Sequence, residues 1–429
     1  MKERWDLKLK NNIWIIPSFY SFTAFLLAAV VIWLDISHYP LIKAWVPNRL
    51  LTSIGLAETI LGAIAGSLLT MTSITFSTLM VVLTTYSGQF SPRTLQNFIR
   101  DKVTLRVLGI FMGGFVYSMF SLLFLRDIPG GHPVISAAVG VIIAFICLAF
   151  FAHFLQHVAQ SIQVNKLIRQ LTEDATSSIS KMAQRIEKEK RSQRVFQCPV
   201  IEQKQVTVYT SAAYGFTQLY EIERLFDLAC QDQCTVEILL PIGSFITRKT
   251  ELMKIYHSQE LTGNFIDAVQ IGDDRTTMQD LEFGVQKLGE ITLRALAPGA
   301  NDPNTAIDGI KHMGMCLDEA SHQDGRYIVY YEGEIPRLII AQKPFEEVLY
   351  QAFYEICYSG RDRVSVLLAV FEALIEIANK NTENIKGKIY HFGEYVLNKV
   401  EEGILNKDDR KKLQEKFVIL KKICKQENV

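Results

Sequence analysis

The sequence lacks net charge. Its 429 residues include 45 lysines and arginines and 45 aspartates and glutamates, so the total gives no reason to expect a nucleic-acid partner. The balance conceals two different regions. Residues 1–165 hold 11 basic and 6 acidic residues, a net charge of +5, while the remaining 264 hold 34 basic and 39 acidic residues, a net charge of −5. The chain therefore combines two regions suited to different solvents.

The local signatures of catalysis are also missing. The sequence contains no G-x-S-x-G nucleophile elbow, P-loop, G-x-G-x-x-G, H-E-x-x-H or paired C-x-x-C motif. Cys230 and Cys234 are four residues apart, with no second pair or histidine cluster to complete a zinc site. We therefore predict a protein that is not an enzyme, with no catalytic residue, metal site or cofactor.

Long hydrophobic runs are abundant instead. Hydrophobic residues make up 49% of the chain, and the mean hydropathy is +0.14. A membrane-spanning helix needs about 20 mostly apolar residues, and four stretches can supply one: residues 13–34, 56–86, 106–126 and 128–165. The first is too long for the apolar region of a cleaved signal peptide. The sequence predicts a multi-span α-helical membrane protein with four transmembrane helices.

Lysines and arginines in the flanking segments predict the orientation. The amino-terminal segment has four and the second loop at least three, against two in the first loop and one in the third. We therefore expect a multi-pass inner-membrane protein with both termini in the cytoplasm. The large carboxy-terminal region would then lie on the inside, and its six scattered cysteines fit this reducing compartment.

The second span is unusually rich in hydroxyl groups. A stripe of small and polar residues recurs at spacings of three, four or seven, and so shares one helix face: Gly66, Thr70, Ser73, Ser77 and Thr84. In one interpretation these residues only let helices approach closely. In the other they line a hydrated path. Four spans rarely enclose a wide pore, so a path requires a homo-oligomer with this helix innermost.

The loop after this span combines basic and apolar residues. Leu95, Phe98 and Ile99 share a face, which predicts a short helix at the cytoplasmic membrane interface. Such a helix could couple an internal domain to the second span. The candidate coupling residues are Phe90, Pro92, Arg93, Arg100 and Asp101.

The remainder of the chain predicts a cytoplasmic α+β domain with a helical tail. The expected domains are the membrane part at residues 1–165, a helical stalk at 166–200, the α+β domain at 201–345 and a helical region at 346–429. Strand patterns occur near residues 205–210, 235–241, 265–271, 327–331 and 337–341, and helical patterns near 219–231, 278–296 and 303–317.

One helix start in this region is a candidate ligand site. Asp302 precedes Pro303, and free N–H groups at a helix start favour a small anionic ligand. The candidate residues are Asn301, Asp302 and Thr305, aided by Arg275 or Arg294. Structural capping by Asp302 explains the same residues without a ligand.

Several motifs together resemble a known family. They are Ala65-Gly66-Ser67; Gln89-Phe90-Ser91-Pro92-Arg93 with Phe98-Ile99-Arg100-Asp101; His157 with Ser161-Ile162-Gln163-Val164; Asp274-Arg275-Thr276 with Gln279-Asp280 and Phe283-Gly284; and Leu293-Arg294-Ala295-Leu296-Ala297-Pro298-Gly299-Ala300-Asn301-Asp302-Pro303 with Thr305-Ala306. The chain resembles the bacterial predicted membrane protein family called domain of unknown function 2254. Ala297 and Ala300 stand where that pattern more often has Ser and Ile. The resemblance implies several spans and a cytoplasmic domain, without a transferable activity.

Two functions follow as hypotheses. The first is a homo-oligomeric ion channel or transporter-like protein whose cytoplasmic domain assembles or gates it. The alternative is a non-conducting scaffold or sensor that presents a ligand- or protein-binding domain. The hydroxyl stripe favours the first hypothesis, and the scarcity of ionisable residues inside the spans favours the second.

Overall fold

The structure is a computed structural model. It describes residues 13–37, 46–89, 92–94, 99, 101–125, 132–161, 163–188, 191–203, 205–276, 280–401 and 406–425. The chain divides into two compact units, a membrane unit of residues 2–163 and a second unit of residues 164–429.

The described part of the membrane unit contains four helices long and apolar enough to cross a membrane. They are α1 Ile15–Ser37, α2 Ile54–Gln89, α3 Lys102–Phe124 and α4 Ser136–Ser161. Each lies on one of the four predicted spans, which confirms the prediction. The helix α2, with 36 residues, is longer than predicted at both ends.

The helix α3 is the central helix of this unit. Half of its membrane-spanning stretch is buried, against about a fifth in each of the other three helices. A Cβ added at Gly109 would lie 2.9 Å from Tyr20 Cδ2 and 3.1 Å from Pro17 Cα of α1. A Cβ at Gly114 would lie 2.9 Å from Leu68 Cδ1 of α2. Glycines thus allow α3 to contact its neighbours closely.

Polar contacts join the helices at one end of the membrane unit. Asp35, at the end of α1, accepts the backbone N–H groups of Ile135 at 2.9 Å and Ser136 at 3.2 Å, and so caps α4 from another helix. Tyr117 Oη of α3 donates to the Ser136 carbonyl at 2.8 Å. Thr52 and Val134 exchange two backbone hydrogen bonds.

The second unit begins with a helix that is packed along one face. The helix α5 spans Val164–Lys188, so it begins two residues before the stretch predicted as a stalk and ends within it. Its buried side chains include Leu167, Leu171 and Ala175. A Cβ at Gly284 would lie only 2.8 Å from Ala175 Cβ, so α5 contacts the segment that follows residue 280 closely. The fourth span and this helix are separate elements, since α4 ends at Ser161 and α5 begins at Val164.

The described residues that follow contain nine strands: β1 Ser192–Val195, β2 Gln205–Thr210, β3 Gly215–Tyr220, β4 Thr235–Ile238, β5 Phe245–Ile246, β6 Glu251–His257, β7 Val269–Gly272, β8 Tyr327–Glu332 and β9 Ile335–Ala341. Six of these form a sheet in the order β1-β8-β9-β4-β6-β2, and the other three form a sheet in the order β5-β3-β7. All pairs are antiparallel except β4 with β9. The predicted strands are present, while β1, β3, β5 and β6 had not been predicted.

Helices cover these sheets and extend beyond them. They are α6 Ile222–Gln231, α7 Leu281–Leu296, α8 Pro303–Ser321, α9 Phe345–Ser359, α10 Val364–Asn379, α11 Glu383–Glu401 and α12 Lys407–Lys425. The helix α6 buries Leu225 and Phe226 against a core that includes Val236 and Ile255 of the larger sheet. The predicted helix at 219–231 begins later, because β3 continues to Tyr220. The mixed helix and sheet composition of this unit is as predicted.

Candidate functional site

The hydroxyl stripe of α2 lies on the outside of the membrane unit. Gly66, Thr70, Ser73, Ser77 and Thr84 are all exposed in the single chain. Two of these residues, Ser73 and Ser77, line a shallow depression on the surface of α2. One chain therefore encloses no path with these residues, and they face either lipid or another molecule.

Hydroxyl groups of the stripe bond within their own helix. Thr70 donates to the Gly66 carbonyl at 3.0 Å, Ser73 to the Leu69 carbonyl at 3.0 Å and Thr84 to the Met80 carbonyl at 2.8 Å. Each donor is thus satisfied without a partner outside α2, which makes exposure to an apolar environment less costly. Each oxygen keeps acceptor capacity for water, a cation or a donor on another helix.

Two glycine pairs with the same spacing lie in opposite surroundings. A Cβ at Gly109 or Gly113 of α3 would contact α1 at about 3 Å, whereas a Cβ at Gly62 or Gly66 of α2 would have no atom within 4 Å. Small-xxx-small pairs commonly mark sites of close helix approach in membranes. On α2 this surface is unoccupied by the described residues of the same chain.

The candidate coupling loop is described only in part. Phe90 and Arg100, and most of the predicted interfacial helix, lie outside the described residues. Pro92 and Arg93 belong to a 3₁₀ turn at Pro92–Thr94, and Arg93 is exposed.

Asp101 has a defined role at the start of α3. It accepts the Thr104 backbone N–H at 3.0 Å as the helix N-cap, and it lies 2.9 Å from His157 Nε2 of α4. The second contact ties the first turn of α3 to the last turns of α4. A residue at the end of the candidate loop therefore contacts the packed part of the membrane unit.

The candidate ligand loop is organised by Asp302. Its carboxylate accepts the Thr305 backbone N–H at 3.1 Å and the Thr305 hydroxyl at 2.6 Å, which lowers the pKa of Asp302. Asn301, just before it, has a φ of 45°, a left-handed conformation that Asn tolerates. The cap already occupies the Thr305 N–H group and puts a negative charge there, which opposes binding of an anion.

The two arginines proposed to assist this loop lie apart from each other. Arg294 is in the last turn of α7, which leads into the loop. Arg275 instead binds Asp280 at the first turn of α7, with Nε–Oδ2 and Nη2–Oδ1 distances of 2.7 and 2.8 Å. The helix between them is about 24 Å long, at about 1.5 Å per residue. Arg275 is therefore not part of a site at Asp302.

The pair of Arg275 and Asp280 belongs to a buried ionic network. The side chain of Asp280 is 2% exposed, and burial raises its pKa although the hydrogen bonds from Arg275 act in the opposite direction. Arg275 also lies 3.5 Å from Glu282, which in turn pairs with Lys343. Gly243, at φ 85°, leaves space for Asp280, since a Cβ there would overlap the carboxylate. In the described residues no three His, Cys, Asp or Glu side chains form a potential metal site.

The predicted membrane protein family of domain of unknown function 2254 matches residues 10–376. The chain belongs to this family. It is 25% identical, over 316 residues, to an uncharacterised protein of Mycobacterium bovis and to an uncharacterised protein of Mycobacterium tuberculosis strain H37Rv. The matched regions cover 71% of this chain and 60% of each relative. No solved structure matches significantly.

In this member of domain of unknown function 2254, some polar residues contact partners far away in the sequence, and no local motif predicts these contacts. Asp35 directly follows the first uncharged apolar stretch of the sequence, yet it caps α4, 100 residues later. Glu282 and Lys343 are 61 residues apart, and no local motif connects them. Asp280 was identifiable as a helix cap, because Asp before an apolar helical repeat is a common start signal.

Proposed function

We propose that this protein is a homo-oligomeric ion channel or transporter-like protein in which α2 lies nearest the oligomer axis. The observation that carries the proposal is the exposed stripe on α2, which presents glycines and hydroxyl groups to the outside of a single chain. A second copy would cover the glycines, and several copies would turn the hydroxyl groups towards a common centre.

The length of the stripe supports a path across the membrane. Gly66 and Thr84 are 18 residues apart, which corresponds to about 27 Å along a helix. The hydrocarbon core of a bilayer is about 30 Å thick. In an oligomer with α2 at its centre, small and polar groups would extend through nearly the whole apolar layer.

The chemistry of the stripe suits weakly selective permeation. Hydroxyl oxygens whose protons are bonded within α2 still present lone pairs, which can replace part of the hydration of a cation. The stripe carries no fixed charge, so it would neither trap an ion nor repel one of either sign strongly.

Localisation and orientation are part of the same proposal. The matched relatives are bacterial, and the flanking lysines and arginines favour an inner-membrane protein with both termini in the cytoplasm. The second unit would then be cytoplasmic, where it would assemble or gate the oligomer.

A non-conducting scaffold or sensor is the second candidate. It is favoured by Gly62 and Gly66, whose unoccupied surface fits tight helix packing. In such an assembly the hydroxyl groups would pack against a neighbouring helix and leave no water-filled space.

Ion flux in liposomes separates the two candidates. In the variant with Ser73→Leu and Ser77→Leu, ion flux should fall at least tenfold or its ion selectivity should change. The reason is that two larger, apolar leucine side chains replace two serine hydroxyl groups of the path. Phe76→Leu is the matched control, since Phe76 is 50% exposed on α2 but lies off the stripe. The control should conduct as the unmodified protein does.

Two results would count against the channel. Flux that is unchanged in the double serine variant would remove α2 from the path. A verified oligomer without flux under any voltage or membrane tension would favour the scaffold. Native mass spectrometry of Gly62→Leu tests the shared assumption, because an oligomer unaffected by this change does not use the α2 face.

A further inference from the structure

A cavity of about 110 Å³ lies inside the second unit. It is placed at the carboxyl ends of β4 and β9, the parallel strand pair of the larger sheet. Pro241 and Ile242 follow β4 and line it, and so do Gln342 and Lys343, which follow β9. Ligands in sheets with parallel strands bind in the crevice beyond such carboxyl ends, where the connecting loops diverge.

The cavity has a mainly apolar lining, and its volume suits a small molecule. Its apolar lining includes Tyr220, Ile222, Ile242, Ile340, Phe345 and Val348. The volume is comparable with that of an engineered apolar cavity of about 150 Å³ that binds benzene. A ring or branched chain of about six or seven heavy atoms would fit this space.

Four of the charged side chains that line the cavity, Asp280, Glu282, Asp324 and Lys343, pair with groups of opposite sign, and the fifth, Arg194, also has an interaction partner. Asp280 pairs with Arg275, Glu282 with Lys343 and Asp324 with Lys388. A ligand with a net charge would have to break one of these pairs, or remain unpaired in a buried site, and either is costly. The electrostatics therefore favour an uncharged ligand.

One polar group in the lining lacks a partner. The Gln323 side-chain oxygen is buried and accepts no hydrogen bond from the described residues. Buried acceptors are nearly always satisfied, so this atom calls for a donor. The Lys343 ammonium group, with three N–H donors, contacts Glu282 and Gln351, which leaves one donor for a ligand oxygen.

We propose that this cavity is a binding site for a small neutral amphiphile, a compact apolar body that carries a hydroxyl or amide group. The apolar body fills the space between Ile242, Ile340 and Val348. The polar group donates to the Gln323 oxygen and accepts from Lys343. The site belongs to the second unit alone, and it does not depend on conduction by α2.

Binding of phenol to the full-length protein in lipid nanodiscs tests this site. Ligand-observed NMR gives the dissociation constant for the unmodified protein and for Ala320→Leu, which fills the cavity from α8. Binding should weaken at least tenfold in this variant. Met315→Leu is the matched control, because Met315 is 54% exposed on the same helix. Because phenol also dissolves in the lipid of the nanodiscs, the control variant shows how much of the signal does not depend on the cavity. Its dissociation constant for phenol should equal that of the unmodified protein.

A second variant separates the polar contact from simple filling. Gln323→Leu should weaken phenol binding about fivefold, because one hydrogen bond is lost, and should leave toluene binding unchanged or tighter. Thermal unfolding verifies that each variant is folded. If Ala320→Leu does not fold, Val348→Phe takes its place as the filling variant.

The outcomes that overturn the proposal are defined by the same measurements. Phenol binding that survives a folded filling variant, or no binding specific to the protein, would exclude the site. Benzoate or benzylamine binding more tightly than phenol would overturn the assignment of a neutral ligand. Equal loss of phenol and toluene in Gln323→Leu would remove the role of the Gln323 oxygen.

Discussion

The helix α2 of the membrane unit and the ionic network of the second unit satisfy their polar side chains over very different distances along the chain. In α2, hydroxyl groups bond to carbonyls one turn earlier, as Thr70 does with Gly66. In the second unit, Lys343 pairs with Glu282 and Lys388 with Asp324, which are 61 and 64 residues away. Local bonds leave a helix face available for other molecules. Distant bonds fix several elements in one arrangement.

The membrane unit also contains long-range polar contacts. Asp35 accepts the Ile135 N–H group at the start of α4, 100 residues later, at the end where Thr52 and Val134 also exchange hydrogen bonds. Long-range polar contacts in this unit thus occur where helices are joined, and short-range contacts occur on the face that remains exposed. The difference therefore distinguishes surfaces that hold the fold from a surface that is available for assembly.

The largest expected effect is on the long-range network. Arg275→Ala leaves the Asp280 carboxylate buried without its partner, which should lower the free energy of unfolding by about 3–5 kcal/mol. Gln286→Ala is the control, since it removes the 3.0 Å contact to Arg275 Nη1 and a 3.3 Å contact to Glu290 but leaves the pair of Arg275 and Asp280 in place. Chemical denaturation measures both variants. An effect of Arg275→Ala no larger than that of the control would contradict the importance of this pair.

The same variant has a predictable pH dependence. Burial already raises the pKa of Asp280, and without Arg275 the pKa should rise further. The folded state would then bind a proton that the unfolded state releases, so the stability of Arg275→Ala should fall as pH rises through the raised pKa and recover at lower pH.

The glycine pairs should differ by a smaller amount. Gly109→Ala places a Cβ within about 3 Å of α1 and should destabilise the membrane unit by about 1–3 kcal/mol through overpacking. Gly62→Ala, with no atom within 4 Å, serves as its control and should not destabilise the single chain. Thermal unfolding of monomers in detergent measures both. Equal destabilisation by the two variants would contradict the conclusion that the Gly109 face of α3 is packed and the Gly62 face of α2 is not.

The cap at Asp302 should contribute less. Asp302→Ala should cost about 1 kcal/mol of stability near neutral pH, the usual contribution of an N-cap. Because the folded-state pKa of Asp302 is lowered, this contribution is present above the ordinary pKa and is lost as pH falls through the folded value. Asp302→Asn, which keeps an acceptor, should preserve the cap without that pH dependence. Denaturation at pH 7 and pH 3 compares the variants.

The smallest expected effect is at the hydroxyl stripe. Thr70→Ala removes the hydrogen bond from the Thr70 hydroxyl to the Gly66 carbonyl, which is one turn earlier on the same exposed helix face. The free energy of unfolding of the monomer should therefore change by less than about 0.5 kcal/mol. Thr104→Ala is the contrasting variant, because Thr104 is buried and contacts Asp101. Thermal unfolding compares them. A larger loss at Thr70 would mean that the stripe holds the fold of the single chain.

The sequence predicted features that depend on local pattern. The four spans follow from uninterrupted apolar length, and the cap at Asp302 follows from an Asp before Pro303 at a helix start. The strands β2 and β4 follow from their residue pattern. The two-residue strand β5 and the start of β3 at Gly215 have little periodicity, so their pairing depends on partners elsewhere in the chain.

The sequence could not predict which polar residues would meet. Arg275 and Arg294 are both near candidate motifs, but only the folded chain shows that α7 separates Arg275 from Asp302. The cavity is formed by segments between Ile179 and Val348, which no short motif connects. The glycine spacing of α2 and α3 is the same, and the packing partner of α3 depends on the arrangement of α1.

The length of α2 makes the thickness of the bilayer relevant to this protein. From Thr59 to Gln89 the helix contains no charged residue, and 31 residues correspond to about 46 Å of helix. A hydrocarbon core is about 30 Å thick, so the helix must tilt, bend or emerge from it, each at a cost of fractions of a kcal/mol per Å of mismatch. Lipids with longer or shorter chains would change that cost, so the thickness of the surrounding membrane would influence the tilt of α2 relative to the bilayer normal.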